Sequence, residues 1–222
     1  MPRKSVLTPS QKVSLLSFPT SKIEFERYYT LSENDLFIIH QKREIHNRLG
    51  FALMLCCIRY PGISYDVDTV IEDNMMEFVK KQLSIQTEID MQLYFKRETT
   101  RREQLAEIQN LYGYRSLNAK MHASYVELLL PTAKATDNGA IVANKLIELL
   151  RHEMIIVPNI SVIERLCSEA ITIATKWVYE TLLEQCSKMQ LDKLQKLFTS
   201  KPNTNISYLG WLQMRNFVAN PK

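Results

Sequence analysis

Glycine is scarce in this chain, with five among 222 residues against an average usage of roughly 7%. Hairpins and bulges draw heavily on glycine, so its scarcity argues against a β architecture. The strong helix formers Leu, Glu, Lys and Gln are plentiful, which favours an all-α fold. The one stretch with strand character is Met154-Ile-Ile-Val157, and it stops at Pro158. Cysteine is sparse too. Cys56, Cys57, Cys167 and Cys186 form no C-x-x-C pair, and the four histidines complete no zinc pattern, which speaks against a structural metal. All four cysteines lie in apolar helical stretches, where a free thiol acts as a small hydrophobe in a reducing compartment. The longest apolar run, residues 49–58, is about half of the ~20 residues that a membrane-crossing helix needs. No apolar segment follows Met1-Pro-Arg-Lys4 to make a secretory signal, so a cytoplasmic protein is expected. There is no G-x-S-x-G elbow and no phosphate-cradling glycine loop. Asp66, Asp68, Glu72 and Asp73 lack the glycine and spacing of a calcium loop. No catalytic or metal residue and no cofactor is expected.

Net charge is a modest +4 and does not by itself announce nucleic acid. Its distribution says more. Up to Gly113 there are 15 basic and 15 acidic residues, and after it 13 and 9. The neutral first part nevertheless holds the tightest basic clusters, residues 42–48 and 96–102, separated by an acidic stretch at 66–77. Such clustering builds patches.

Residues 43–62 read as one helix with two unlike halves. Arg43, His46, Asn47 and Arg48 open it. Ile45, Leu49, Ala52, Leu53, Cys56 and Tyr60 then recur at helical spacing, predicting a buried body. Pro61-Gly62 ends it, since proline cannot continue the ladder and glycine accepts the left-handed conformation beyond. A helix docked in a major groove touches bases mainly through its N-terminal residues while its own domain holds the rest. Asn47 and Arg48 carry the amide and guanidinium groups suited to adenine and guanine edges, and Lys42 adds charge beside them. The alternative for the cluster is a solvated face. Gly50, inside the helix, is read as a packing position.

Helix starts are well marked. Thr8-Pro9-Ser10-Gln11 supplies an N-cap, a first-position proline and a capping-box glutamine. A helix is expected over about 22–29, and Ser32 caps another to about residue 41. Joined by a tight turn to the two-halved helix, the latter makes a helix-turn-helix unit. Further helices are expected at 73–83, from a Thr87 cap to about 95, from the Thr100-Arg-Arg-Glu103 box to Gly113, and over 119–130, ended by Pro131. The last two form a second helix-turn-helix, with Arg115, Ser116, Asn118 and Lys120 at the start of its second helix. Lys96, Arg97, Thr100, Arg101 and Arg102 would supply phosphate contacts, or else a solubilising linker. If Ser32 and Thr100 cap helices near a duplex, backbone N–H groups are left for phosphate oxygens. Helices over 140–152, 161–186 and 191–198 complete the chain. The apolar, aromatic Ile206-Ser-Tyr-Leu-Gly-Trp-Leu-Gln-Met214 is unusual near a terminus and suggests further packing there.

The motifs Met1-Pro-Arg-Lys-Ser-Val-Leu-Thr-Pro-Ser-Gln11, Tyr29-Thr-Leu-Ser32, His46-Asn-Arg-Leu-Gly-Phe-Ala52, Arg59-Tyr-Pro-Gly62, Thr100-Arg-Arg-Glu103, Ile155-Ile-Val-Pro158, Ile163-Glu-Arg165 and Leu209-Gly-Trp-Leu212 closely resemble the N-terminal region of Tn-three family transposases. The resemblance runs along essentially the whole chain. It implies part of a larger replicative transposase, with tandem helix-turn-helix units similar to centromere-protein-B domains that bind double-stranded DNA at the terminal inverted repeats. It also implies that the acidic triad and its magnesium ions belong to an RNase-H-like domain outside this sequence. On this basis residues 1–85 and 86–155 are expected to be two DNA-binding domains, and 156–222 a helical linker or the start of a dimerisation scaffold. The partners expected are transposon-end DNA, the rest of the transposase chain and a second copy, with no membrane. Binding at the nucleoid accompanies the cytoplasmic assignment. A helical dimerisation module with weak, sequence-blind DNA binding is the competing expectation.

Overall fold

The computed structural model describes residues 5–202 and 204–215, so residues 1–4 of the opening motif lie outside the described residues. In chain order the elements are α1 (Pro9–Leu15), α2 (Lys22–Tyr29), α3 (Glu33–His40), α4 (Ile45–Arg59), α5 (Asp73–Gln82), α6 (Gln92–Phe95), α7 (Glu98–Tyr112), β1 (Arg115–Ser116), a 3-10 turn (Ala119–Met121), α8 (His122–Ala135), α9 (Gly139–His152), β2 (Ile155–Ile156), α10 (Ile160–Gln185), α11 (Lys188–Leu197) and α12 (Tyr208–Arg215). The fold is all-α as expected, with two-residue strands as its only sheet among the described residues.

Local chemistry explains most boundaries. Thr8, Ser21 and Ser32 each accept from the third helical backbone N–H and donate their own backbone N–H to the side chain of Gln11, Glu24 and Asp35, satisfying donors that a helix start otherwise leaves open. Gly113 closes α7 with φ 76°. Several expected boundaries differ; α11, for one, begins at Lys188 behind a Ser187 capping box. The helix before Lys96 begins at Gln92, where the Asp90 carboxylate accepts the Gln92 N–H at 2.9 Å, and Thr87 caps nothing. α7 starts at Glu98, so Thr100 lies within its first turn. Glu98 suits the positive helix end and pairs with Arg102 one turn on, at 2.5 Å. α8 runs past Pro131 to Ala135. Pro131 is exposed while Leu129 and Ala133 are buried, so the burial of that face carries the helix through the one hydrogen bond that proline removes.

The first compact unit extends to Thr172 and the second begins at Ile173. The domain boundary expected near residue 85 falls inside the first unit. The reason is α4, which packs against α2, α3, α5, α6 and α7. Residues Leu49–Ile58 are all buried, so the helix is enclosed on every side. Ile45, read from the sequence as core, is instead exposed. Tyr29, Ile39, Met75, Val79, Tyr94 and Ile108 close around α4 in one apolar cluster that Ile156 joins from far along the chain. Gly50 permits this. A Cβ there would overlap the Tyr94 ring, so the glycine is the seat of an aromatic side chain, as the packing reading anticipated.

Elsewhere in the first unit α8 packs on α9 and α1 on α9. β1 and β2 pair in parallel, Arg115 with Ile155 and Ser116 with Ile156. The Val157 N–H donates to the Gly62 carbonyl at 2.8 Å, and Gly62 has φ 99° with Val157 Cγ2 3.0 Å from where its Cβ would be. The left-handed residue expected after the two-halved helix is therefore present, with a neighbour that leaves it little room. In the second unit α11 packs on α12, and Lys201 lies 4.0 Å from the Trp211 ring centre.

Candidate nucleic-acid interface

The turn from α3 to α4 is built more tightly than its sequence suggested. Lys42 forms an ion pair with Glu107 of α7, and its ammonium lies 4.6 Å from the ring centre of the buried Phe51, a favourable placement for a cation over an aromatic face. Arg48 turns back so that its Nε donates to the Lys42 carbonyl at 2.8 Å. Glu44, which precedes α4, sits at φ 35° with no side-chain cap, and its carbonyl accepts from the Asn47 and Arg48 N–H groups. A non-glycine residue at positive φ persists only where its surroundings hold it there. Below the turn, the buried Tyr94 hydroxyl donates to Gln104 Oε1 at 3.0 Å, and Gln104 Nε2 donates to the Asn47 carbonyl at 3.2 Å. The first turn of α4 is thus held from α6 and α7. Arg43 is exposed and His46 half-buried, and neither side chain has a hydrogen bond or ion pair among the described residues. They form the part of this tip left open to a ligand.

Behind the tip lies a buried ionic network. Asp35, 1% exposed, accepts from Arg59 Nη2 at 2.8 and 2.9 Å, from the Tyr112 hydroxyl at 2.5 Å and from the Ser32 N–H at 2.7 Å. Burial pushes its pKa up, but the hydrogen bonds from Tyr112, Arg59 and Ser32 outweigh that and hold the carboxyl below its ordinary value. The network ties α3, α4 and α7 together. Cys56 and Cys57 lie in the same core, and burial pushes the Cys56 thiol up to about 12, the behaviour of inert hydrophobes.

The second basic cluster divides in the same way. Arg101 donates to Asp66 at 2.5 Å and lies 5.4 Å from the Phe95 ring centre; Arg102 pairs with Glu98. Lys96 and Arg97 are exposed, and their side chains make no hydrogen bond or ion pair among the described residues. In the third group Arg115 belongs to β1 and donates to the Glu153 carbonyl at 3.3 Å, Ser116 accepts from Gln109 at 2.9 Å, and Asn118 caps the 3-10 turn through the Lys120 and Met121 N–H groups. Lys120 alone of these projects without a side-chain partner among the described residues. α7 packs chiefly on α4 and α6, and α8 chiefly on α9. Gln104, Tyr94 and Glu107 were not anticipated from sequence. No spacing rule marks a tyrosine and a glutamine ten residues apart as partners.

An enclosed helix that leaves its leading turn exposed, next to a braced helix-helix corner, defines an all-α scaffold. The chain belongs to the family described as a domain of unknown function (DUF4158), which matches residues 6–170. Among its relatives are the transposase for transposon Tn3926 of Escherichia coli, 37% identical over 213 residues, and the transposase for transposon Tn21 of Escherichia coli, 36% identical over 213 residues. The alignments cover 96% of this chain and 21% and 22% of those proteins. The transposase for transposon Tn501 of Pseudomonas aeruginosa is 34% identical over 223 residues, covering 100% of this chain and 22% of the relative. These relatives are transposases of the Tn-three family, as the motifs indicated, and the chain spans about a fifth of their length. The match is to their N-terminal part, and their catalytic domain is not within it. No helix among the described residues is long and apolar enough to cross a membrane.

Proposed function

We propose that these residues bind double-stranded DNA at the terminal inverted repeats of a transposon, within a transposase whose chemistry is carried elsewhere. The observation that supports this most is the first turn of α4. The fold encloses the rest of that helix, braces the corner from α7, and leaves Arg43 and His46 without internal partners. Arg43, His46 and Asn47 are assigned to the groove. Lys96, Arg97 and Lys120 are assigned to phosphates, because they too lack internal counter-ions among the described residues. Lys42, Arg101 and Arg102 already have theirs and serve mainly to shape the surface. Arg115, Ser116 and Asn118 hold the segment that presents Lys120.

The test is titration of the chain against an inverted-repeat duplex and a scrambled duplex over a series of salt concentrations. Preference for the repeat with a steep salt dependence is expected. Equal affinity for both duplexes would overturn sequence-specific recognition. A second reading, a helical interaction surface on the second unit, is favoured by the exposure of Leu182, Leu183 and Phe198. Concentration-dependent self-association in sedimentation, with DNA affinity unchanged, would favour that reading.

A further inference from the structure

We propose that a cavity beside the α3–α4 turn binds a phosphate group, which on DNA is a backbone phosphate flanking the α4 tip. The cavity is about 320 Å³, and His40, Ile45, Arg48, Ser84, Gln86 and Thr87 contribute to its wall. Each polar side chain among these can donate a hydrogen bond: an imidazole, a guanidinium, two hydroxyls and an amide. No carboxylate lines it. Other cavities of the first unit carry their own counter-ions. The groove of about 860 Å³ along α2 and α5 includes Glu77, paired with Lys80 at 2.7 Å. The smaller one near Arg101 and Arg102 includes Asp66 and Glu98, which those arginines already engage.

Arg48 is the one guanidinium in this cavity's wall. Its Nε is committed to the Lys42 carbonyl, while its two Nη groups have no partner among the described residues. The guanidinium is therefore fixed at one edge and open at the other. A planar fork held in this way suits the oxygens of a phosphate. The sequence suggested Arg48 for a base edge. The geometry instead gives it an anchoring role, two residues beyond His46 in the first turn of α4. This inference rests on the DNA-binding reading for the source of the phosphate, but the cavity's preference for a phosphate group does not.

Two measurements on the full chain separate these points. Inorganic phosphate, added at constant ionic strength against chloride, should raise the thermal midpoint of the wild type, and Thr87→Glu should abolish that rise. Thr87 is exposed and makes no side-chain hydrogen bond among the described residues. Gln86→Glu, nearly isosteric, provides the same charge should Thr87→Glu fold poorly. On DNA, either variant should weaken repeat and scrambled duplex equally and reduce the slope of log K against log salt by about 0.9, the value for one phosphate no longer neutralised. Phosphate protection in the wild type with an unchanged DNA slope in the variants would overturn the backbone assignment. Absence of phosphate protection together with an unchanged slope would overturn the site. If the wild type binds no duplex, the DNA reading fails and the phosphate measurement alone decides the cavity.

Discussion

The tip of α4 and the segment from Arg115 to Lys120 are both candidate DNA-facing surfaces, and they are made in opposite ways. The first is the end of a helix enclosed by five others and braced by Lys42, Gln104 and the Asp35 network. The second is a surface segment held by a two-residue parallel pairing, by one hydrogen bond from Gln109 to Ser116 and by two that the Asn118 side chain accepts from the Lys120 and Met121 N–H groups. The difference teaches that rigidity at a binding surface can be inherited from a core or assembled locally. Only in the first case would binding and stability share residues.

That contrast can be broken most forcefully at Arg59. Arg59→Met leaves Asp35 buried without its cation and should cost about 3–5 kcal/mol in denaturant unfolding. A loss under about 1 kcal/mol would mean that the network does not brace α4. The same carboxyl supplies a pH signature. Its folded pKa is depressed, so its contribution is complete above the unfolded value and lost as pH falls through the folded one. Acid titration of stability should flatten in Asp35→Asn at the low-pH end, whatever that variant's stability at neutral pH.

Gly50→Ala comes next, at about 1–3 kcal/mol, because the added methyl meets the Tyr94 ring in a filled core. Thermal unfolding would measure it, and a neutral result would show that Tyr94 moves freely. Arg43→Ala should leave stability within about 0.5 kcal/mol yet weaken repeat DNA by about 1–3 kcal/mol and relax specificity. Equal losses on repeat and scrambled duplex would remove it from base readout. Lys120→Ala should have the smallest effect. It weakens all duplexes alike, lowers the salt slope by about 1, and leaves the melting temperature in place. A sequence-dependent loss there would make the second surface a reader in its own right.

Much of the fold was legible where its cause is local. The capping box at Thr8, the Ser32 cap and the Gly113 stop act over three or four residues and were read correctly. So was the buried body of α4, whose apolar run is continuous. Thr100 misled because a capping-box pattern also occurs inside a helix, two residues past a start set by Glu98. Pro131 misled because burial of the opposite face outweighed its missing N–H. The divided basic clusters were the least legible part. Lys42 and Arg101 are neutralised by Glu107 and Asp66, 65 and 35 residues away, and nothing in a sequence pattern assigns such pairs.

The meeting of Val157 with Gly62 has a consequence in time. Strand pairing between Arg115 and Ile155, and the hydrogen bond from Val157 to Gly62, bring together positions far apart along the first unit. On a ribosome, chain emerges N-terminus first at about 5–20 residues per second. The helices around α4 can assemble from neighbouring segments, but the core cannot receive Ile156 until the whole α8–α9 excursion has been made. Nascent chain shorter than that therefore displays the α4 tip on an unfinished core, and that candidate surface reaches its final form only when the returning strand arrives.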